Sequence, residues 1–235
     1  MLNSSEIMAR KEKVGAVIVA AGSSRRMEGE DKMFSRLGRR ALLASVVGIF
    51  QACDAIDEIV VVLRKSNIIS GRQLVARYRW SKVIQVCRGG ERRQDSVKNG
   101  LSFLRSCDWV VVHDGARPLV SRDLIEKGLV AARETGAAIA GVPVTDTIKA
   151  ADEKQIIVNT LARQRLWRIQ TPQVFRFDII YEAYNKADND VTDDASLVEA
   201  LGRKVKIYMG SYDNIKITTP ADLELAKALL RKRKV

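Results

Sequence analysis

The feature that most constrains the fold is an alternation of short apolar runs with amphipathic stretches along the first 144 residues. The runs are rich in Val, Ile and Ala at consecutive positions, which is typical of strands buried on both faces. They are VGAVIVA (14–20), EIVVVL (58–63), KVIQV (82–86), WVVVH (109–113) and AAIAGVPV (137–144). Stretches of helical period lie between them, at 41–52, 68–78, 92–106 and 122–136. The pattern predicts an α/β fold: a Rossmann-like, mostly parallel twisted sheet with helices on both faces.

After residue 144 the pattern changes from strand-and-helix to hairpin. TIKAA and QIIVNT flank the acidic turn DEK, and we predict a projecting β-hairpin arm over 145–168. Two interpretations of the arm stay open, an edge hairpin of the same domain or an arm that reaches another subunit. Helices follow at 177–187 and 193–201, then a strand at 204–210 and a helix at 221–234. We expect one domain over 1–235, with residues 1–13 as a disordered leader.

Composition excludes several classes of protein. The chain is 46% hydrophobic and 29% charged, which is too apolar for a disordered protein. No run of 18 apolar residues is present, so we expect no membrane span, and we also expect residues 1–13 not to be a secretory signal sequence. Three widely spaced cysteines and one histidine disfavour a zinc site and a disulfide framework, and indicate reduced thiols in the cytoplasm.

The net charge of +12 indicates an anionic ligand. Residues 64–105 carry eleven Lys or Arg but only two acids, Glu91 and Asp95. Such a field attracts nucleic acid, an anionic membrane or a small phosphorylated substrate, and charge alone does not choose among them.

In an open parallel sheet, ligands bind at the carboxyl ends of the strands, so the segment after the first strand is the first place to look for a site. Ala20, Ala21 and Gly22 bare the backbone, and Arg25, Arg26 and Lys32 add positive charge. This combination suits a triphosphate, although neither the Walker A nor the GxGxxG pattern is present. The structural alternative is a tight turn with solvated arginines.

The other strand ends carry further candidates. Asp114 ends an apolar strand and is a good Mg²⁺ ligand, with a turn cap as the alternative, and Arg117 is placed to hold a second anion. Gly90 and Ser96 either frame a base or ribose or cap a helix. The only histidine, His113, is expected to be a core residue, and Lys216 alone would not be selected.

Seven motifs in order carry a resemblance to a known family. They are AAGSSRRM, GGERRQDSV, HDGARP, PVTDTIK, RLWRIQTPQVF, VTDDASLVEALG and DNIKIT. Together they resemble the 2-C-methyl-D-erythritol 4-phosphate cytidylyltransferases of non-mevalonate isoprenoid biosynthesis, from about Val14 to Leu229. The resemblance implies that CTP and the sugar-alcohol phosphate react with Mg²⁺ to give the cytidine diphospho product and pyrophosphate, without a covalent enzyme intermediate.

The resemblance also implies roles for individual residues. The residues implied in catalysis are Arg26, Lys32, Arg163 and Lys216. The residues implied in CTP binding are Ala20, Ala21, Gly22, Arg26, Lys32, Gly90, Glu91, Ser96 and Asp114, with Asp114 also the Mg²⁺ ligand. The residues implied on the acceptor side are Arg117, Thr147, Arg163, Thr171, Thr192, Asp213 and Lys216.

In this family the arm crosses into the partner subunit, so the resemblance implies a homodimer in which Thr147 and Arg163 complete the partner's site. The chain departs from the family pattern at Ser24, where Gly is usual, and at Asp31-Lys32-Met33, where Pro-Lys-Gln is usual. Losing Pro removes a fixed φ beside Lys32, and Asp31 adds a negative charge, so Lys32 is the least secure assignment.

Three rival functions differ in kind. A ribitol 5-phosphate cytidylyltransferase would share the CTP motifs, but such enzymes tend to have AGG where this chain has AAG. A nucleic-acid-binding protein would explain the charge, but aromatic residues make up only 6% of the chain and are not interleaved with cations. An inactive paralogue is disfavoured because most of the expected polar positions are present. We therefore expect neither nucleic acid nor membrane as a partner.

Overall fold

The computed structural model describes residues 11–22, 32–186 and 190–232. The strands in these ranges are β1 (Val14–Ala20), β2 (Arg36–Leu37), β3 (Arg40–Ala41), β4 (Glu58–Leu63), β5 (Val83–Arg88), β6 (Trp109–Asp114), β7 (Ala137–Pro143), β8 (Lys149–Ala151), β9 (Ile157–Thr160), β10 (Trp167–Arg176) and β11 (Lys206–Met209). The α-helices are α1 (Leu42–Gln51), α2 (Ile68–Tyr78), α3 (Arg93–Leu101), α4 (Arg122–Thr135), α5 (Phe177–Lys186), α6 (Asp194–Ala200) and α7 (Pro220–Lys232).

Seven strands form the central sheet in the order β11-β7-β10-β6-β1-β4-β5. All neighbours are parallel except β10, which runs antiparallel to both β6 and β7. Because β10 runs the opposite way, its first half lies at the same sheet edge as the carboxyl ends of its neighbours. The predicted mostly parallel α/β fold is confirmed.

Helices cover both faces because successive strand residues point to opposite sides of the sheet. Ile18 packs in a hydrophobic cluster with residues of α1, α2, α4 and α7, whereas Val17 packs in a second cluster with residues of α3, α5 and α6. Burial on both faces is the reason that the apolar strands show no polar alternation.

The arm is a separate two-stranded sheet. β8 and β9 pair antiparallel with each other, with Lys149 opposite Thr160, and the central sheet contains neither strand. The predicted hairpin is therefore present, and among the described residues it pairs with no strand of the central sheet. The predicted arm ran to residue 168, but β10 already begins at Trp167 and belongs to the central sheet.

Two other boundaries differ from the predictions. The helix expected over 92–106 ends at Leu101, where its last turn gives way to turns that lead into β6. The last helix begins at Pro220, not at 221, since proline is favoured in a first helical turn.

The chain start is partly described. Residues 1–10 lie outside the described ranges, while the backbone N–H of Lys13 donates to Asp108 and its ammonium pairs with Glu58. Across the described residues, no helix combines the length and apolar character needed to span a membrane.

Candidate active site

A cleft of about 690 Å³ opens at the carboxyl ends of β1, β5 and β6. Nine residues proposed from the sequence line it together: Ala20, Ala21, Gly22, Lys32, Gly90, Glu91, Ser96, Asp114 and Lys216. They come from distant parts of the chain because parallel strands bring their carboxyl ends to one edge. Arg64, Lys65 and Arg88 make part of the same wall positive.

The turn after β5 is shaped by close contacts that only glycine permits. A Cβ on Gly89 would lie 2.4 Å from the Cβ of Ala21 and 2.6 Å from the Oγ of Ser96. The Oγ of Ser96 accepts the Gly90 N–H at 3.1 Å and its hydroxyl donates to the carbonyl of Arg92. In this structure Ser96 therefore serves the turn, which is the structural alternative that the sequence left open.

Asp114, at the end of β6, is surrounded by cations. Its Oδ2 lies 2.8 Å from the Nζ of Lys216 and 3.9 Å from the Nε of Arg117, while its Oδ1 accepts from the Nε of Arg93 at 3.3 Å. Burial alone would raise the pKa of this carboxyl, but Arg93, Lys216 and Arg117 outweigh it, so the pKa lies well below its usual value. Asp114 is therefore a permanent negative charge at the cleft wall.

A second cleft of about 590 Å³ adjoins the first. It is lined by Arg117, Thr171 and Thr192, three of the residues proposed for the acceptor. The two clefts share three lining residues: Arg93, Asp114 and Lys216. A group bound in one cleft therefore meets a group bound in the other beside these three side chains.

Arg117 has the features of an anion-binding residue. Its NH1 donates to the carbonyl of Asn214 at 2.7 Å, while its buried Nε lacks a hydrogen-bond partner among the described residues. Burial lowers the pKa of Arg117, an effect that Asp114 opposes and Arg168 and Arg93 reinforce. A bound anion would satisfy the Nε and relieve the repulsion among these cations.

The fully buried His113 orients the loop after β6. Because the carbonyl of Arg117 only accepts, the Nε2 of His113 must carry the proton and donate to it at 3.1 Å. Its Nδ1 then accepts from the hydroxyl of Thr171 at 3.0 Å, and the Oγ1 of Thr171 accepts the N–H of Asp114 at 3.1 Å. Burial lowers the pKa of His113 to about 4, so the ring is neutral at pH 7. The expected core histidine is confirmed, and Thr171 commits its proton to it.

Three proposed residues within the described ranges do not line the clefts of this chain, and a fourth cannot be placed. Arg26 lies outside the described residues. Thr147 is exposed at the base of the arm, Arg163 donates to the carbonyl of Thr145 at 2.7 Å, and neither they nor Asp213 are cleft-lining residues. The loop departures at Ser24 and Asp31 also lie outside the described ranges.

Lys32 does lie in the first cleft, despite the altered residues around it. Its Nζ donates to the carbonyl of Ile217 at 3.1 Å, which places it beside the segment that carries Lys216. The two lysines therefore face the same space from separate loops.

Sequence reasoning missed Arg93. Its motif, GGERRQDSV, was noted, but the partner of its guanidinium is Asp194, which is 101 positions away. Periodicity carries no information on such a pairing, and only the tandem arginines at the start of α3 marked the position.

The described residues contain no group of three or more His, Cys, Asp or Glu placed to hold a metal ion. Two carboxylates, Glu91 and Asp114, line the first cleft. A cation there would depend on ligands from a bound phosphate as well as from the protein.

Comparison with known proteins then decides the family. The family model described as IspD, 2-C-methyl-D-erythritol 4-phosphate cytidylyltransferase, matches residues 14–232. This chain belongs to the IspD family. The 2-C-methyl-D-erythritol 4-phosphate cytidylyltransferase of Dehalococcoides mccartyi is 52% identical over 221 residues, covering 94% of this chain and 97% of the relative.

Other relatives agree on the IspD family. The cytidylyltransferase of the same name from Alkaliphilus oremlandii is 43% identical over 229 residues, covering 94% of this chain and 97% of the relative. The solved structure of 4-diphosphocytidyl-2C-methyl-D-erythritol synthase from Anaerococcus prevotii matches with a TM-score of 0.84 at 33% identity, covering 94% of this chain and 96% of that one. The resemblance stated from the motifs is confirmed.

Proposed function

We propose that this IspD-family protein transfers a cytidylyl group from CTP to 2-C-methyl-D-erythritol 4-phosphate and releases pyrophosphate, a step of non-mevalonate isoprenoid biosynthesis. The observation that carries the proposal is the meeting of two clefts at Arg93, Asp114 and Lys216. One cleft has bared backbone and a basic wall, as a triphosphate requires, and the other has a buried arginine with an unsatisfied N–H.

The nucleotide side is built from backbone and cations. Ala20, Ala21 and Gly22 provide backbone with little side chain at the end of β1, and Lys32 lines the same cleft. Lys32 would neutralise the charge that develops on the triphosphate, together with Arg26 of the same segment after β1. Gly90 and Glu91 border the end of the cleft where the base would lie.

The chemistry is an in-line displacement at the α-phosphorus of CTP. An oxygen of the acceptor phosphate forms the new P–O bond, and the bond to the β-phosphate bridging oxygen breaks, with its electron pair leaving on pyrophosphate. Two anions must approach each other, so positioning and charge neutralisation supply most of the acceleration. Lys216, at the junction of the clefts, is placed to contact both phosphates.

The acceptor side takes the phosphate of the sugar alcohol. Arg117 supplies the unsatisfied Nε, and Thr192 lines the same cleft. Thr171 holds the loop of Asp114 by accepting its backbone N–H, and it donates its hydroxyl proton to His113, so it has no proton left to donate to a phosphate. Asp213 precedes Lys216 by three residues, and its backbone N–H donates to the Oγ of Ser211.

Mg²⁺ fits the residues present as a companion of the triphosphate. Magnesium usually takes one or two carboxylates together with substrate phosphate oxygens, and Asp114 is the ionised carboxylate at the junction. Asp114 would hold the ion. When bound, it would neutralise phosphate charge.

We also propose a homodimer with shared sites. The arm exposes consecutive apolar side chains: Ile156 is 63% exposed, Ile157 60% and Val158 70%. No residue of β8 or β9 is buried. A cluster of exposed apolar side chains is typical of an interaction surface. Thr147 and Arg163 lie at the base of this arm and would enter the partner's acceptor cleft, which explains why neither lines the clefts of its own chain.

The three free thiols, Cys53, Cys87 and Cys107, agree with action in the cytoplasm.

The first test is pyrophosphate release with Mg²⁺ over a matrix of substrates: CTP, UTP, ATP and GTP, each with methylerythritol phosphate and with ribitol 5-phosphate. Release with CTP and methylerythritol phosphate alone supports the proposal. Release with ribitol 5-phosphate would keep the mechanism but change the pathway. Absence of release from a folded sample would refute the activity.

The shared site has its own test. Subunits carrying Arg163→Ala and subunits carrying Lys216→Ala are each expected to be inactive alone. After exchange at equal amounts, one intact site forms in each mixed dimer, so about a quarter of the wild-type activity should return. No return after demonstrated exchange would place Arg163 outside the partner's site.

A further inference from the structure

The guanidinium of Arg93 is held in one position by a buried carboxylate. Its NH1 and NH2 donate to the two oxygens of Asp194 at 2.8 and 2.7 Å. Asp194 is fully buried in the first turn of α6, and it also accepts from the hydroxyl of Tyr184 on α5. A bidentate pair between planar groups fixes orientation as well as distance.

The remaining edge of the same guanidinium reaches the junction of the clefts. The Nε of Arg93 donates to the Oδ1 of Asp114, while the Oδ2 of Asp114 faces Lys216. One oxygen of Asp114 therefore contacts an arginine that a bidentate pair holds in place, and the other contacts a more exposed lysine. The side chain of Lys216 is 42% exposed, compared with 25% for Arg93.

The ionisation states of Arg93 and Tyr184 agree with these hydrogen bonds. Burial disfavours the charge of Arg93, but Asp194 and Asp114 together raise its pKa above the usual value, so it stays a cation. Burial, followed by the charge of Asp194, raises the pKa of Tyr184, which therefore remains a neutral donor. Donors and acceptors therefore alternate along this hydrogen-bond network. Tyr184 and Arg93 donate, and Asp194 and Asp114 accept.

We infer that Arg93 is a positioning residue for the transfer reaction: anchored by Asp194 and Tyr184, it fixes one oxygen of Asp114 and leaves the other for exchange. Lys216 can then leave Asp114 for the substrate phosphates without loss of the carboxylate's orientation. The inference rests on the proposed function. Arg93 also links α6, which lines the second cleft, to the end of β6, which lines both clefts. This link fixes the position of one cleft relative to the other.

The matched test uses two arginines in bidentate pairs. Arg93→Lys keeps the charge but has one ammonium, which cannot hold both oxygens of Asp194 and also reach Asp114. Arg176→Lys is the control, because Arg176 makes a similar pair with Asp178 on the surface, away from both clefts. We expect the kcat of Arg93→Lys to fall roughly 30-fold or more, with the KM for CTP within about threefold of wild type. The control should keep both constants.

Chemical rescue separates positioning from a structural role. Arg93→Ala opens a space beside the clefts that a guanidinium ion can enter, between Asp194 and Asp114. We expect millimolar guanidinium chloride to restore the kcat of Arg93→Ala at least roughly fivefold and saturably, whereas equal sodium chloride or urea should not. Tyr184→Phe, which leaves Arg93 in place but removes one donor to Asp194, should lower kcat only a fewfold.

The outcomes separate two failures. A wild-type protein that releases no pyrophosphate would refute the proposed function itself. An active wild type with unchanged kcat in Arg93→Lys would overturn the positioning role. So would a loss of kcat that equals the loss of folded protein by circular dichroism and is not rescued by guanidinium.

Discussion

Acid should destabilise this protein through a single side chain, His113. The ring is fully buried, packs 5.2 Å from the ring of Phe50 and uses both nitrogens, one as donor and one as acceptor. Protonating Nδ1 would place a second donor against the hydroxyl of Thr171, which already accepts from Asp114. Asp114 favours the imidazolium, whereas Arg117 and Arg93 disfavour it, so the nearby charges do not offset the cost of burying an imidazolium.

The magnitude follows from linkage. An unfolded histidine titrates near pH 6.5, whereas burial lowers the pKa of His113 to about 4. Between these values the unfolded state binds a proton that the folded state does not, so the free energy of unfolding falls as pH falls. From pH 7 to pH 5 the loss is about 2 kcal/mol. With a urea m-value of about 3 kcal/mol/M for a chain of this size, the unfolding midpoint should fall by roughly 0.7 M.

Two measurements check this. Urea unfolding is compared at pH 7 and pH 5 at fixed protomer concentration, without nucleotide or metal, because dimerisation and ligands would shift the midpoint. His113→Gln can still donate to the carbonyl of Arg117 but does not titrate, so its midpoint should differ little between the two pH values. The chain contains one histidine, so NMR of the untagged protein follows its ring directly.

Either of two results would refute the reasoning. Ring resonances that titrate with a midpoint near 6.5 in the folded protein would show that the imidazolium is tolerated. An equally large loss of stability in His113→Gln would assign the pH dependence to other groups. Carboxyls with lowered pKa, such as Asp114 and Asp222, do not interfere, since they contribute to the pH dependence below pH 5.

Three further predictions concern the clefts and the arm. Lys32→Ala should lower kcat about 100-fold in the pyrophosphate assay, because a cation facing the triphosphate is lost, and unchanged turnover would move that role elsewhere. Gly89→Ala should raise the KM for CTP and cost about 1–3 kcal/mol in urea unfolding, because its Cβ would collide with Ala21 and Ser96. Gly48→Ala in α1, where the nearest atom is an arginine tip at 3.5 Å, is the control and should be as stable as wild type or more so. Val158→Asp should dissociate the dimer in analytical ultracentrifugation at micromolar protein, and an unchanged mass would show that the arm is not the interface.

Sequence reasoning found the elements whose pattern is local. β1 and β4 were predicted at their observed bounds, since buried parallel strands are continuous apolar runs. The residues after β1, β5 and β6 were selected for the same reason, because a strand end followed by Gly, Asp or Arg is visible in the sequence. Eight of the candidates from these segments line one cleft, together with Lys216, which only the family resemblance selected.

The strand β10 was missed because its pattern is not local. WRIQTPQVFR mixes polar and apolar residues and contains a proline, so neither strand nor helix periodicity stands out. Its place between β6 and β7 depends on antiparallel pairing with strands that precede it by many residues. This insertion brings Thr171 against Asp114 and forms the wall of the second cleft.

By itself, the sequence determined the α/β class, the loops that carry the chemistry and, through seven ordered motifs, the family. These properties are encoded within single elements, by side-chain period and by the residues at each strand end. The tertiary structure alone decided the partners of each charge. Asp114 meets Arg93 from α3, Lys216 from the segment before α7 and Thr171 from β10, and His113 loses its usual titration through burial. Coulomb attraction and desolvation depend on distance and depth in space, which positions along the chain do not specify.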